Sequence, residues 1–418
     1  MSIGIHHIDL FIRPADVLLF RDGRPFEEGG RAEGLFPPAP VAFYGALRTA
    51  ALARHGVRFR GGRLDVPDAL KQELGTADTL GDMAITSFAL AHGSHGRSVT
   101  PLFPMPADVL KRKGSDPASW HRMVPTDFER NAPNGTAQRV KPRTNLPDPS
   151  LHLLWKWRDE RDWYEDDPGF IDLVAFADYL ATGNPPAPFA HPAAGCRTGE
   201  EAEQLRKPFV TEPRTSVQID DATQRAEDGM LYTVAFTRTN QDVGFAVRLV
   251  NAALLDASEG WLRLGGEARA ARYESCTMPI FPRRQDIQQR IKATGRCTLV
   301  LVTPAPFENG WLPDGIDPKG ASRLGDCSVR LVGAALGRFD TLGGWDIVRN
   351  RPRLARRAVP AGSVYFFDDV DKAAVDALFD EHTGVFGTSI LNDENDKKLG
   401  LGLAYLGAWD PQDDSPHV

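Results

Sequence analysis

The sequence predicts an α+β fold: two ferredoxin-like units of the RRM-type βαββαβ kind, the first carrying a long loop-rich insertion. Three observations predict it. Strand-like segments outnumber helix-like ones in both halves, and several read as hairpins rather than as regular strand–helix alternation. A chain of 418 residues exceeds what one hydrophobic core usually organises, which points to two domains. Between about residues 93 and 207 prolines are frequent and periodicity is poor, as expected of an inserted segment. The expected boundaries are 1–278 and 279–418.

In chain order, Ile3–Ile12 alternates well enough for a strand. A glycine-rich loop follows, opening with Arg21 and Arg24 on either side of an Asp-Gly turn and ending in Pro-Pro-x-Pro. A helix is expected from Pro40 or Val41 to Arg54, with Phe43, Leu47, Ala50 and Ala51 on one face. Ser87–His92 reads as a short strand. Phe170–Leu180 reads as a helix inside the insertion. The segment after Thr211 alternates at Val217 and Ile219, then at Leu231, Val234 and Phe236. Asp228–Gly229 in the link predicts a hairpin with a longish loop. Gly244–Val250 predicts a third strand and Asn251–Leu262 a short helix. Gly265–Gly266 predicts a tight turn into another strand. In the second half, Arg296–Pro304, Val329–Ala334 and Ser363–Asp368 are strands. Asp371–Phe379 is a helix with an N-cap aspartate, and Leu399–Leu406 alternates glycines with apolar residues.

Hydrophobic content of 42% and charged content of 25% are ordinary for a globular chain. No run of eighteen apolar residues occurs, so no membrane span is expected. The N-terminus lacks the basic-then-apolar order of a secretory signal, so a cytoplasmic location is expected. Cys196, Cys276, Cys297 and Cys327 are scattered, which predicts neither a disulfide framework nor a metal site. Net charge is −7, which argues against indiscriminate polyanion binding. The arginines nevertheless cluster. Arg349–Arg357 holds five in nine residues, and Arg139, Lys141 and Arg143 put three cations in five. Arginine suits bidentate phosphate contacts, although any one cluster also fits a solvated face.

The chemistry of several enzymes is missing. There is no GxxxxGK[ST], and "GLGLAYLG" has the wrong spacing for a dinucleotide loop. A metal-independent ribonuclease needs a general base and acid. On a strand His6 and His7 face opposite ways, so at most one could serve; His92 and His95 are the better candidates, or plain loop histidines. No cofactor is expected. What remains is anion-binding material. The helix with Tyr44, Gly45 and Arg48 follows a Pro-rich loop. Gly45 costs about 1 kcal/mol inside a helix, which either a close-approaching RNA or close helix–strand packing would explain. Gly265, Gly266, Arg269 and Arg272 repeat the pattern. Gly343, Gly344, Trp345 and Arg349 add an aromatic able to stack on a base or to fill a core or partner interface.

Taken together, "IRPADVLLFRDGRPF", "FPPAPVAFYGALRTA", "EPRTSVQIDDATQRAEDGMLYTVAFTR", "LRLGGEARAARYE", "TLGGWDIVRNRPRLARRAVPAGSVYFF" and "LGLGLAYLGAW" resemble, in this order, the third RAMP subunit of the Cmr complex, the type III-B CRISPR effector. The resemblance implies two RAMP domains and a non-catalytic subunit. Such a subunit would bind the 5′ repeat-derived tag of the guide RNA (crRNA) and pair with the large palm-domain subunit. It would also contact the adjacent backbone RAMP subunit and meet target RNA only indirectly. The RNA-contact positions it implies are Arg21, Arg24, Tyr44, Gly45, Arg48, Arg214, Gly265, Gly266 and Arg269, then Gly343, Gly344, Trp345, Gly400 and Gly402. A turn at Asn134–Gly135 between Arg139, Lys141, Arg143 and the preceding arginine suggests a protruding hairpin. Rival readings are a guide-processing endoribonuclease of the same superfamily and a structural clamp without RNA contact.

Overall fold

The computed structural model describes residues 7–20, 31–32, 36–59, 62–93, 98–115, 118–125, 129–131, 137–139, 151–155, 163–186, 206–219, 223, 225–256, 258–317 and 322–410. The first half builds on β1 (His7–Pro14), α1 (Pro40–Arg54), α2 (Asp68–Leu74), β2 (Ala84–Gly93) and β3 (Val99–Pro104). β4 (Phe170–Asp172) and α3 (Leu173–Thr182) follow. Then come a long ribbon, β5 (Phe209–Ile219) with β6 (Ala226–Thr239), and β7 (Val243–Val250), β8 (Glu259–Leu264) and β9 (Arg269–Ser275). Seven strands form one sheet in the order β4-β3-β2-β7-β1-β9-β8, every neighbour antiparallel.

The sheet's inner face is set by alternation. Leu10 and Ile12 on β1 point to α1, while Phe11 between them joins a small cluster on the other face. α1 answers with Phe43, Leu47 and Ala51, each four residues apart, all fully buried. The Phe43 ring lies 4.5 Å from that of Phe245 and 4.8 Å from that of Phe88. Pro40 opens the helix at a position where no backbone donor is needed.

The second half contains α4 (Arg284–Thr294), β10 (Cys297–Leu301), β11 (Ser322–Leu324), β12 (Cys327–Ala335) and the short strands β13 (Asp340–Leu342), β14 (Trp345–Asp346), β15 (Arg351–Pro352) and β16 (Arg356–Ala358). β17 (Val364–Asp368), α5 (Val375–Leu378), β18 (Thr388–Ser389), α6 (Glu394–Lys398) and β19 (Leu403–Gly407) complete it. Its six-stranded sheet runs β11-β12-β17-β10-β19-β18, again antiparallel throughout.

Several local expectations are corrected. The helix expected at Phe170 begins at Leu173, because Asp172 ends β4 and its carboxylate accepts from the Val174 and Ala175 amides at 2.9 Å. Asn251–Leu262 forms a turn and then β8, not a helix. Gly260 there lies so close to Tyr273 across the ladder that a Cβ would sit 2.5 Å from that ring. Asp228–Gly229 lie within β6, and the ribbon turns between Ile219 and Ala226. The helix expected over Asp371–Phe379 is a single turn.

Parts of the 93–207 segment join the two halves. β3 and β4 extend the first sheet, while α3 packs against α4 and β19. The Phe176 ring of α3 lies 4.5 Å from Phe103 of β3 and 5.7 Å from Tyr405 of β19. Beneath this seam is a buried ion pair. Arg122 Nε donates to Asp108 at 2.7 Å, and the Tyr179 hydroxyl donates to the same carboxylate at 2.8 Å.

Candidate nucleic-acid interface

On α1 the three predicted residues separate by role. Gly45 is exposed, and a Cβ there would meet no described residue within 4 Å, so packing against a described strand is not its reason. Tyr44 is buried, its hydroxyl has no hydrogen-bond partner among the described residues, and burial pushes its pKa up to about 12. Arg48 is half-buried. Its Nε donates to the Leu74 carbonyl and an Nη to that of Thr76 at 2.5 Å, which closes the C-terminus of α2 with a cation. Arg48 therefore holds two helices together, a role its sequence position does not announce.

At the base of the long ribbon, Arg214 and Arg269 come together around one ring. Their guanidiniums lie 5.2 and 4.8 Å from the centre of Phe236. Carboxylates orient them. Glu212 accepts from Arg214 at 2.6 Å and from Arg238 at 2.8 Å, and Glu267 accepts from Arg269 at 2.5 Å. Asp16 also accepts from Arg238 at 2.8 Å, which holds the Asp16 carboxyl below its ordinary value. Sequence reading missed Arg238 and the Phe236 ring. The signal was available, since residues 236 and 238 share one face of a strand.

Gly265 and Gly266 serve packing. At Gly265 φ is +72°, and a Cβ would lie 2.5 Å from the Leu19 carbonyl; the Gly266 amide donates to that carbonyl at 2.7 Å. Arg272 is exposed on β9 and paired with Glu259 at 2.5 Å. Gly400 and Gly402, read as part of an RNA-facing loop, are both buried: a Cβ at Gly400 would lie 2.7 Å from Ile85 and one at Gly402 2.6 Å from Leu391.

Gly343, Gly344, Trp345 and Arg349 lie on an arm of two nested ribbons, β13 with β16 and β14 with β15. Trp345 is exposed, which excludes a place in this chain's own core. Arg349 donates to Asp346 at 2.8 Å and to Asp78, tying the arm to the loop after α2. At the foot of the arm, burial alone raises the Asp340 pKa to about 6. The charged form is the disfavoured one. The cost is present above pH 6 and disappears as pH falls from 6 towards the unfolded-state value of 3.8. Asp340→Asn is accordingly expected to raise stability at pH 7.5 by about 1–2 kcal/mol, allowing for residual solvent screening, and to change nothing at pH 3.5. Denaturant midpoints at the two pH values check it; equal effects at both would remove burial of charge as the cause.

Arg21, Arg24, Lys141 and Arg143 lie outside the described residues, as do His6, His95, Cys196 and the Asn134–Gly135 turn. Arg139 ends a short strand, Ala137–Arg139, paired antiparallel with Glu129–Asn131. His92 lies in β2, and no cluster of metal-binding side chains occurs among the described residues.

A family model described as CRISPR-associated protein (Cas_Cmr3) matches residues 10–409, nearly the whole chain. The chain belongs to the Cmr3 family. Two solved structures are similar to it, both cryo-EM structures of the type III-B Cmr-β complex bound to cognate target RNA, one of them also with AMPPnP. The chain matched in the first is 14% identical, with 86% of each chain covered and a TM-score of 0.41. That in the second is 14% identical, with 89% of each covered and a TM-score of 0.44. No curated protein matches. No described helix is long and apolar enough to cross a membrane.

Proposed function

We propose that the chain is the guide-RNA-binding subunit of a type III-B effector. It holds the 5′ repeat-derived tag, docks on the large palm-domain subunit, touches the adjacent backbone RAMP subunit and leaves catalysis to others. The observation that carries this reading is membership of the Cmr3 family across residues 10–409. The strand orders support two ferredoxin-like RAMP units, over 1–278 and 279–418. In each sheet the inner four strands, counted along the chain, lie second-third-first-fourth: β2-β7-β1-β9 and β12-β17-β10-β19.

Within that reading, RNA meets α1 at Gly45 and the ribbon base at Arg214 and Arg269. Gly45 supports the first contact because it leaves an open, side-chain-free spot on an exposed helix face for no internal reason. The shared Phe236 ring supports the second because it fixes two guanidiniums in advance of any phosphate.

The test is binding of a synthetic crRNA with an intact 5′ tag to the purified chain and to its assembled complex. Gly45→Gln is expected to leave the unfolding midpoint unchanged or raised and to weaken crRNA binding about tenfold. Arg214→Ala with Arg269→Ala is expected to lower affinity and to flatten the log-affinity against log-salt slope by about 1.4, or about 0.7 per lost phosphate contact. Affinity insensitive to both sets of changes would defeat the assignment. Cleavage of repeat RNA that is lost in His92→Ala would favour the endoribonuclease instead.

A further inference from the structure

The arm differs from the rest of the surface in two ways. Ten large apolar side chains are exposed among the described residues, and five of them fall within 336–354: Leu336, Phe339, Trp345, Ile347 and Leu354. Leu354 is 90% exposed, Ile347 57% and Trp345 54%, values an isolated solvated ribbon does not explain. Four exposed arginines accompany them: Arg338, Arg351, Arg353 and Arg357. None forms a salt bridge with a described residue, and Arg357 lies over the Phe339 ring at 4.7 Å. Several arginines outside the arm are paired internally, as in Arg248 with Asp9 and Arg330 with Asp368, while Arg58, Arg63 and Arg263 stand singly exposed without a salt bridge to a described residue. A chain of net charge −7 thus keeps four arginines without a salt bridge on the same arm as these apolar side chains.

The arm is also held in place. Arg349 bridges Asp346 and Asp78, the Arg353 amide donates to the Gly344 carbonyl at 2.9 Å, and Val348 packs against the first core. Its outer residues are presented on a fixed ribbon, so little ordering is needed on binding.

We propose that residues 336–357 are a docking surface for a partner polypeptide whose contacting face has an apolar centre and an acidic rim. The charge complement follows from the four open arginines. The choice of protein over RNA follows from the aliphatic side chains. Bases stack on planar groups and gain little from Leu336, Ile347 and Leu354, whereas exposed aliphatic side chains together with a tryptophan and arginines are the make-up of a protein interface. This gives Gly343, Gly344, Trp345 and Arg349 to a protein contact. The proposal does not depend on which residues hold the guide.

The experiment places the photocrosslinker p-benzoylphenylalanine at Ile347 or Leu354 in the full chain. The chain is assembled with its co-encoded effector subunits and a labelled crRNA, and the complex is then irradiated. A polypeptide adduct at a peptide rich in Asp and Glu is expected. Leu354→Asp, and separately Arg351→Glu with Arg353→Glu, are expected to cut adduct yield from the Ile347 position and subunit retention about tenfold. The isolated chain's unfolding midpoint and its affinity for a 30-nucleotide oligouridylate should stay within twofold of wild type. Adducts only on crRNA, adducts only between two copies of this chain, or no adduct in an assembled complex would each overturn it. Loss of guide RNA in the Gly45 variant with normal adduct formation separates this surface from the RNA reading.

Discussion

Arg122→Ala is expected to destabilise the protein by about 3–5 kcal/mol, the largest effect of any single charge removal here. The guanidinium is almost fully buried and its partner Asp108 completely so. Besides the 2.7 Å bond to Asp108, Arg122 donates to the Gly183 carbonyl at 3.0 Å and lies 4.6 Å over the Tyr179 ring and 5.5 Å over Phe366. Gly183 caps α3, so the cation also sits at the negative end of that helix. Truncation removes these contacts and strands the fully buried Asp108 charge without its cation. Burial already holds the Tyr179 hydroxyl well above its ordinary pKa, so that group cannot take up the charge. The pair gains little over an apolar filling, because both ions were desolvated on folding. Arg122→Met combined with Asp108→Leu should therefore recover most of the loss, minus the Tyr179 hydrogen bond. Denaturant midpoints of the two single variants and the double variant make the comparison. A loss below about 1 kcal/mol for Arg122→Ala would show that the pair is not holding the seam.

That pair also marks the limit of local reading. The β-branched run Cys297–Leu301 is a strand as its composition suggests, and α1, β7 and β17 lie where alternation and helical spacing place them; β1 runs His7–Pro14 against an expected Ile3–Ile12, of which residues 3–6 lie outside the described residues. The 93–207 segment defeats the same approach. Its organisation depends on Arg122, Asp108 and Tyr179, partners up to 71 residues apart with no shared period. β8 was misread for a related reason. Gly260 is fixed by a ring on the neighbouring strand, which a window along the chain does not contain.

The site was legible in composition more than in geometry. Arginine clustering along the chain singles out the 349–357 segment, and Trp345 beside it is exposed. Partnering was not legible. Arg349 meets Asp78 across 271 residues, and Arg48 meets carbonyls 26 and 28 residues on. Counting cations along the chain could not separate these from the open Arg351 and Arg353 beside them.

The glycines make the sharpest test of that distinction, since one substitution should act with opposite signs at two of them. Gly45→Ala fills open space on an exposed helix and is expected to stabilise the isolated chain by about 0.5–1 kcal/mol. Gly400→Ala should cost about 2–4 kcal/mol. Gly400 holds φ at +76°, a left-handed conformation worth about 1 kcal/mol against alanine. The new Cβ would lie 2.7 Å from Ile85 Cγ2 and 3.3 Å from Pro40 Cβ, on β2 and at the first residue of α1. Neither neighbour can withdraw easily. Ile85 is in the sheet core, and the Gly400 carbonyl is fixed by the Thr303 hydroxyl at 2.9 Å. Since Gly400 belongs to the second half while Ile85 and Pro40 belong to the first, the strain falls on the junction between them. Unfolding of the purified chain without RNA reads both variants at once. If Gly400 serves RNA rather than packing, its alanine variant will unfold at the wild-type midpoint and lose only guide affinity. A lowered midpoint in the absence of RNA assigns it to the junction.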